Sequence, residues 1–179
     1  MDLEEKQISE NTLYRGKVIT VQLCGVELPN GHESVREVVR HSGGAAVLLV
    51  SGGKILMERQ FRFPYNKVIW EIPAGKLNKG ENPEHAARRE LEEETGFRAE
   101  KLTRLAEVYP SPGYTDEIIY VFLADGADYA AQHLDDDEFI NAEFVEIEKV
   151  VSMIESGEIC DAKTIAAVYK YLYDVRAKG

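Results

Sequence analysis

Three glutamates, Glu90, Glu93 and Glu94, have the residue type and the spacing that could do chemistry. On a helix, positions i, i+3 and i+4 share one face, where like charges destabilise the helix by roughly a few tenths of a kcal/mol for each pair. A hard divalent cation reverses that repulsion, because it takes oxygen ligands and keeps positions open for phosphate oxygens. The spacing therefore indicates a metal platform for phosphate chemistry.

The competing interpretation is an ordinary solvent-exposed helix. Glu is a strong helix former, and taken alone the glutamate run favours this interpretation. The apolar residues Ala86, Ala87 and Leu91 also predict that the same helix has a face in the core. The glutamates alone do not decide between the two.

The helix that carries the glutamates has clear start and stop signals. Asn82 is a suitable N-cap, and Pro83 suits the first helical turn. Gly96 stands where a left-handed C-terminal cap is expected. The sequence therefore predicts a helix between Asn82 and Gly96.

The other predicted elements place this helix in a mixed α+β sandwich. The turn Pro29-Asn30-Gly31 separates two β-branched runs and predicts a hairpin. Further strands are predicted from short apolar runs, and two later helices from helical spacing of apolar residues. The predicted strands are 17–23, 35–39, 45–50, 54–59, 102–109, 118–123 and 144–147, and the later helices are 148–156 and 162–176. Residues 1–12 are polar, and residues 60–81 contain the breakers Pro64, Pro73, Gly75 and Gly80, so both segments are expected to be irregular.

Composition narrows the class of protein. The chain has 179 residues and a formal net charge of −11, so we expect no nucleic-acid partner, because phosphate contacts need Lys and Arg. No apolar run is long enough to span a bilayer. Cys24 and Cys160 lie far apart without metal-ligand spacing, and the N-terminus is charged. These features favour a cytoplasmic, reducing location without a disulfide framework.

The glutamates belong to a longer pattern. Gly75 opens it, Glu81 follows after five residues, and Arg89-Glu90 follow after seven more. The remaining fixed positions are filled by Leu91, Glu93, Glu94, Gly96 and Phe97. This is the Nudix signature G-x5-E-x7-R-E-U-x-E-E-x-G-U, where U is a bulky apolar residue. The aromatic Phe97 stands where an aliphatic residue is commoner. The chain thus resembles the Nudix family of hydrolases.

The resemblance implies roles for individual residues. Arg89 would orient a glutamate through charge-assisted hydrogen bonds, and would assist catalysis in that way. Glu81 would bind the metal through water or, as we favour, brace the loop. The implied cofactor is Mg²⁺, with Mn²⁺ as an alternative. Its implied ligands are Glu90, Glu93, Glu94 and the backbone carbonyl of Ala74.

The resemblance also implies a fold and an assembly. We expect a Nudix-type α/β/α sandwich with a mixed sheet, plus a small N-terminal antiparallel sheet. Residues 1–42 would form a hairpin used for dimerisation, and residues 43–179 would form the hydrolase domain. In the branch of the family that this chain resembles, such sheets are swapped between the subunits of a homodimer that share their active sites.

Flanking residues favour ADP-ribose among possible substrates. Residues 70–77, Trp-Glu-Ile-Pro-Ala-Gly-Lys-Leu, resemble a segment of the ADP-ribose and nucleotide-sugar branch. Pro112 lies fifteen residues after Phe97, as in ADP-ribose pyrophosphatases. Tyr114 lies seventeen residues after it, close to a tyrosine of dinucleoside polyphosphate hydrolases. The two other matches together outweigh this one.

Several substrate and catalytic residues follow from the same resemblance. Arg62, in a Gln-Phe-Arg stretch, would contact a phosphate or the terminal ribose. Either Phe61 or Tyr14 would stack on adenine. Glu71 and Pro112 complete the expected substrate residues. For the general base we favour Glu138 in an acidic loop, with Asp137 and Glu93 as the alternatives.

The expected function is therefore Mg²⁺-dependent hydrolysis of ADP-ribose to AMP and ribose 5-phosphate. The nearest alternative is hydrolysis of another nucleoside diphosphate sugar, such as GDP-mannose. A different class of function is ligand sensing without turnover. Sensing domains are expected to lose signature glutamates, and this chain retains all of them.

Overall fold

A computed structural model describes residues 3–134 and 139–178. The chain divides into two compact units. The smaller is Met1–Gly43 with Tyr109–Ile118, and the larger is Gly44–Val108 with Ile119–Gly179. The dimerisation role expected of residues 1–42 stays a prediction.

The smaller unit contains a three-stranded antiparallel sheet in the order β1-β2-β3. Its strands are β1 (Lys6–Arg15), β2 (Ile19–Glu27) and β3 (Glu33–His41). The sheet corresponds to the predicted N-terminal antiparallel sheet, with one strand more than the hairpin that the turn signal indicated.

The larger unit is built on a mixed sheet. The strands of this unit are β4 (Gly44–Ser51), β5 (Lys54–Arg62), β6 (Lys67–Glu71), β7 (Ala74–Lys76), β8 (Phe97–Arg98), β9 (Leu102–Val108), β10 (Ile119–Asp125), β11 (Asp128–Tyr129) and β12 (Ile140–Glu146). Strands β8 and β11 pair with each other in a separate two-stranded sheet. The main sheet has the order β12-β5-β4-β10-β9, with β6 beside β5 and β7 beside β4. Strands β4 and β10 are parallel, whereas the other pairs of this sheet are antiparallel.

Strand β4 explains why the sheet has helices on both faces. Alternate residues of a strand point to opposite faces, and β4 is buried along nearly its whole length. Ala45, Val47 and Leu49 join a core cluster with Leu91 of helix α1 (Pro83–Thr95). The other alternate residues, Ala46, Leu48 and Val50, join a second cluster with helices α2 (Ile147–Glu155) and α3 (Ala162–Lys178). The predicted α/β/α sandwich is confirmed.

Two expectations of irregular structure are wrong. Strand β1 occupies most of segment 1–12, although all ten of its residues are exposed. Backbone pairing with β2, from Lys6↔Glu27 to Arg15↔Thr20, forms this strand. Because neither face is buried, its sequence has no alternating apolar pattern from which it could be predicted. Strands β6 and β7 lie within segment 60–81, where the prolines flank the strands instead of excluding them.

Among the described residues, no helix is long and apolar enough to cross a membrane.

Candidate active site

Helix α1 begins and ends as predicted. The side chain of Asn82 accepts a hydrogen bond from the backbone N–H of Glu84 at 2.8 Å. Gly96 has φ 75°, and its N–H donates to the carbonyl of Glu92. A Cβ at Gly96 would also lie 2.8 Å from the backbone nitrogen of Gln132. Glycine is therefore required here both for the left-handed cap and for close packing.

The three glutamates of α1 differ in their access to water. Glu94 is buried, at 3% exposure. The side chain of Glu90 is 12% exposed, and that of Glu93 is 45% exposed. Glu93 therefore has the readiest contact with solvent among the three.

Strand β7 places Ala74 and Gly75 against two of these carboxylates. The backbone N–H of Ala74 donates to Glu94 Oε2 at 2.9 Å. A Cβ at Gly75 would lie 2.0 Å from the carboxyl carbon of Glu90, so only glycine leaves room for that carboxylate. The structure thus places Ala74, Glu90 and Glu94, three of the implied metal ligands, close to one another. Their role as metal ligands stays a prediction.

Arg89 links the helix to the preceding loop. Its guanidinium donates to Glu90 Oε1 at 2.8 Å and to Glu93 Oε2 at 3.0 Å. Two further bonds, each 3.1 Å long, join it to the two oxygens of Glu81. Glu81 Oε2 also accepts from the N–H of Asn78 at 2.8 Å. These contacts fit the bracing role that we favoured for Glu81.

The opposite charges in this cluster stabilise one another's ionised forms. Hydrogen bonding to Glu81 raises the pKa of the Arg89 guanidinium, and the charge of Glu90 adds to the effect although partial burial opposes it. The hydrogen bond from Arg89 lowers the pKa of Glu81 in turn. Arg89 is therefore a permanent positive charge beside Glu90 and Glu93.

The chemistry of the donors in this cluster suits a hard divalent cation. Carboxylate and carbonyl oxygens suit Mg²⁺ and Mn²⁺, and Gly75 leaves the room in which the Glu90 carboxylate sits. Within residues 3–134 and 139–178, no group of three or more His, Cys, Asp or Glu side chains is arranged so that it could hold a metal ion. Arg89 instead lies against Glu90 and Glu93.

A second polar cluster contains two predicted substrate residues. Arg62 Nε and Nη2 donate to Glu71 Oε1 and Oε2 at 2.6 Å and 2.8 Å, which is a bidentate pair. The side chain of Arg62 is 37% exposed, whereas that of Glu71 is 2% exposed. Glu71 therefore lies behind Arg62, and its described contacts hold the guanidinium in place. That either residue binds a substrate stays a prediction.

Sequence reasoning missed Lys163, the partner of Glu71 on helix α3. Lys163 Nζ donates to Glu71 Oε2 and lies 3.1 Å from Asp161 Oδ2. Burial lowers the pKa of the Lys163 ammonium, but the charges of Asp161 and Glu71 outweigh it, so the net pKa is raised. A lysine in a predicted helix gives no sign that it is buried, so no sequence signal identified it.

The remaining predicted site residues are less constrained. Phe61 is half exposed, as an aromatic platform requires. Tyr14 and Pro112 are exposed residues of the smaller unit. Glu138 and Asp137, two candidates for the general base, lie outside the described residues.

Comparison of the chain with known proteins identifies a family and several relatives. The family model of the NUDIX domain matches residues 39–168. ADP-ribose pyrophosphatase of Bacillus subtilis (strain 168) is 50% identical over 169 residues, covering 93% of this chain and 91% of that protein. Methanol dehydrogenase activator of Bacillus methanolicus is 44% identical over 168 residues, covering 92% and 91%.

The fold has a solved counterpart. The crystal structure of an ADP compounds hydrolase superposes with a TM-score of 0.86 at 22% sequence identity, covering 100% of this chain and 98% of that one. At this identity the likeness shows the fold alone. The sandwich fold, the glutamate helix and the match to the family model together define a pyrophosphohydrolase. The chain belongs to the Nudix family. Enzymes of this family generally use a divalent metal.

Replacing Gly75 with alanine tests the close approach of Glu90. The added Cβ would overlap the Glu90 carboxylate, so we expect pyrophosphohydrolase turnover to fall by about a hundredfold or more, since a misplacement of about 1 Å has that effect. Turnover is measured at saturating metal. Gly113→Ala is the control, because a Cβ there meets nothing within 4 Å. Equal activity of the two variants would contradict the requirement for glycine at position 75 beside the Glu90 carboxylate.

Replacing Glu71 with glutamine tests its buried charge. Burial raises the pKa of Glu71, but the hydrogen bond from Arg62 and the charge of Lys163 outweigh it, so the net pKa lies below the ordinary 4.5. The ionised carboxylate therefore stabilises the fold above pH 4.5, and this contribution is lost as the pH falls through the lowered pKa. We expect Glu71→Gln to lower the free energy of unfolding by about 3 kcal/mol near neutral pH.

That difference should shrink as the pH falls below 4.5. Urea unfolding at a series of pH values measures it. The exposed Glu148→Gln on α2 is the control, with an expected change within about 0.5 kcal/mol. A difference for Glu71→Gln that stays constant with pH would show that the loss comes from packing and not from the charge.

Proposed function

We propose that this protein hydrolyses the pyrophosphate of ADP-ribose to AMP and ribose 5-phosphate, using Mg²⁺ bound at helix α1. The observation that carries the substrate is the 50% identity to an ADP-ribose pyrophosphatase over 93% of the chain. The arrangement of the glutamates around Ala74 and Arg89 supports the chemistry.

The residues that would hold the cation are Glu90, Glu93, Glu94 and the carbonyl of Ala74. When bound, Mg²⁺ or Mn²⁺ neutralises charge on the pyrophosphate oxygens and makes water a better nucleophile. The N–H of Ala74 donates to Glu94, which holds the start of strand β7, where the carbonyl of Ala74 is a proposed ligand. Three carboxylates on one helical face then have a function that a surface helix does not give them.

The chain's own groups would handle the proton and the orientation. Water oxygen forms a bond to one phosphorus, the bond from that phosphorus to the bridging oxygen breaks, and the water proton passes to a base. Glu93 is a candidate because its carboxylate is 45% exposed. Glu138 remains our preferred base and Asp137 the second candidate. Arg89 would hold Glu90 and Glu93 in place through its fork.

Substrate contacts would come from the other cluster. Glu71 accepts hydrogen bonds from two of the guanidinium nitrogens of Arg62, and the partly exposed side chain of Arg62 would contact a phosphate or ribose oxygen. Phe61 offers an exposed ring for stacking on adenine. Pro112 would contribute a further contact.

We also propose a homodimer formed through the N-terminal sheet. Strand β1 exposes all ten residues, including the large apolar residues Ile8, Leu13 and Tyr14. Exposed apolar side chains on an edge strand favour pairing with another chain. Sharing of the active sites by a swapped pair would follow from this arrangement.

GDP-mannose or another nucleoside diphosphate sugar is the alternative substrate, because the metal platform fits any pyrophosphate. Ligand sensing without turnover is the alternative class, and the name of the Bacillus methanolicus relative shows that a similar chain can act on an enzyme. The complete set of signature glutamates favours turnover.

A substrate panel tests the proposal. ADP-ribose, GDP-mannose, ADP-glucose and diadenosine polyphosphates are supplied with Mg²⁺, and product phosphate is measured after phosphatase treatment. We expect ADP-ribose to have the highest kcat/KM. Glu93→Gln should lower kcat by about a hundredfold or more, because it removes a metal ligand or a base. Glu92→Gln, on the same helix but outside the platform, is the matched control.

Each result of the panel has a defined meaning. Preference for GDP-mannose would overturn the substrate and keep the reaction class. Binding of ADP-ribose without any turnover would overturn the enzyme in favour of a sensor. Equal activity of Glu93→Gln and Glu92→Gln would overturn the metal platform.

Substitution of Leu13, which is 59% exposed on β1, tests the dimer. We expect Leu13→Asp to convert a dimer into a monomer, because it places a charge in the proposed apolar contact. Light scattering after size-exclusion chromatography measures the mass. Thr12→Asp on the same strand is the control. A wild-type monomer would overturn the proposal.

A further inference from the structure

A closed ring of polar contacts joins the start of helix α3 to the end of strand β6. Asp161 Oδ2 accepts from the N–H of Thr164 at 3.0 Å and from its hydroxyl at 2.6 Å. Thr164 Oγ1 accepts from the N–H of Ile72 at 2.9 Å. Lys163 closes the ring, because its Nζ contacts both Asp161 and Glu71, the residue before Ile72.

Most of the ring is buried in the larger unit, and Asp161 is partly buried. Lys163 is 6% exposed, Glu71 1% and Thr164 0%. A buried ion pair adds little net stability, because desolvation of the charges offsets their attraction, and apolar residues of similar size often stabilise a fold as well. Anchoring of α3 is therefore a weak explanation for the charge of Lys163, and a role in orienting another group explains it better.

That other group is Arg62. Glu71 Oε2 is shared between Arg62 Nη2 and Lys163 Nζ, so the lysine sets the direction in which this carboxylate faces. The bidentate pair in turn sets the plane of the guanidinium, because its geometry is a rigid fork. Arg62 Nη1 lies outside the pair, at the end of a side chain that is 37% exposed.

We propose that Lys163 is a positioning residue that acts through Glu71 to aim Arg62 Nη1 at the diphosphate or ribose oxygens of a nucleoside diphosphate sugar. This inference rests on the proposed function, in which Arg62 contacts the substrate. Lys163 itself touches no substrate. It keeps Glu71 from rotating with Arg62, so the guanidinium is already oriented before the substrate binds, and less free energy is lost on binding.

Lys163→Met keeps the length of the apolar stem and removes the ammonium. We expect the KM for ADP-ribose to rise about tenfold, equivalent to about 1.4 kcal/mol, while kcat and the Mg²⁺ concentration for half-maximal activity change less than about twofold. A rise in KM alone is the signature of lost substrate binding. An equal loss in kcat, or a matching shift in the Mg²⁺ requirement, would overturn the inference.

Thr164→Val is the matched control on the same turn of α3. It removes the hydroxyl that binds Ile72 and Asp161 but leaves the contact between Lys163 and Glu71. General loosening of α3 predicts that both variants raise KM alike, and that result would overturn the inference. We expect the KM of Thr164→Val to stay within about twofold of wild type.

A double-mutant cycle separates orientation of Arg62 from any independent effect. We expect Arg62→Ala to raise KM, and Lys163→Met to add less than about a twofold change in that background, because coupled residues are not additive. A full tenfold effect of Lys163→Met without Arg62 would overturn the inference. Should Lys163→Met fail to fold, Lys163→Gln takes its place with the same expectations.

The outcomes distinguish this inference from the proposed function. If wild type prefers another nucleoside diphosphate sugar, the ratio of each variant's KM to the wild-type KM is measured with that compound. If wild type binds ADP-ribose without turnover, calorimetry replaces KM with Kd, and a tenfold weaker Kd for Lys163→Met supports the inference. An unchanged KM in Arg62→Ala, with active wild type, overturns the inference alone. Absence of binding to the whole panel overturns both.

Discussion

The site depends on the ion pairs that the guanidinium of Arg89 makes with neighbouring carboxylates. Three carboxylates on one face of α1 repel one another, and Arg89 contacts two of them while binding Glu81 in the preceding loop. The third, Glu94, is compensated differently, by the backbone N–H of Ala74. These contacts offset the repulsion that would destabilise an isolated helix, and they hold helix α1 against the loop before it.

The segment from Glu71 to Ala74 transmits this order to the rest of the larger unit. Each of its four residues is held by a different partner: Glu71 by Arg62 and Lys163, the N–H of Ile72 by Thr164, the carbonyl of Pro73 by the N–H of Val47, and the N–H of Ala74 by Glu94. The partners come from both helix layers and from the central strand. The connection between β6 and β7 is therefore held by contacts on several sides.

Much of the fold was predictable because its signals are local. Asn82, Pro83 and Gly96 mark the limits of α1, since caps depend on residues within one turn. The apolar run of β4 predicts burial on both faces. Strand β1 was missed because its backbone pairs with β2 while its side chains stay exposed. Strand β6 was missed because Pro64 and Pro73 were taken as breakers of the whole segment.

By itself, the sequence determined the glutamate helix, its caps, the signature from Gly75 to Phe97 and hence the family and reaction class. Only the tertiary structure decided that Glu71 is buried, that Arg62 is held by it, and that Lys163 closes the network from the far end of the chain. The physical reason is distance along the chain. Caps and helical faces arise between residues a few positions apart, whereas a buried charge is acceptable only beside partners that folding brings together.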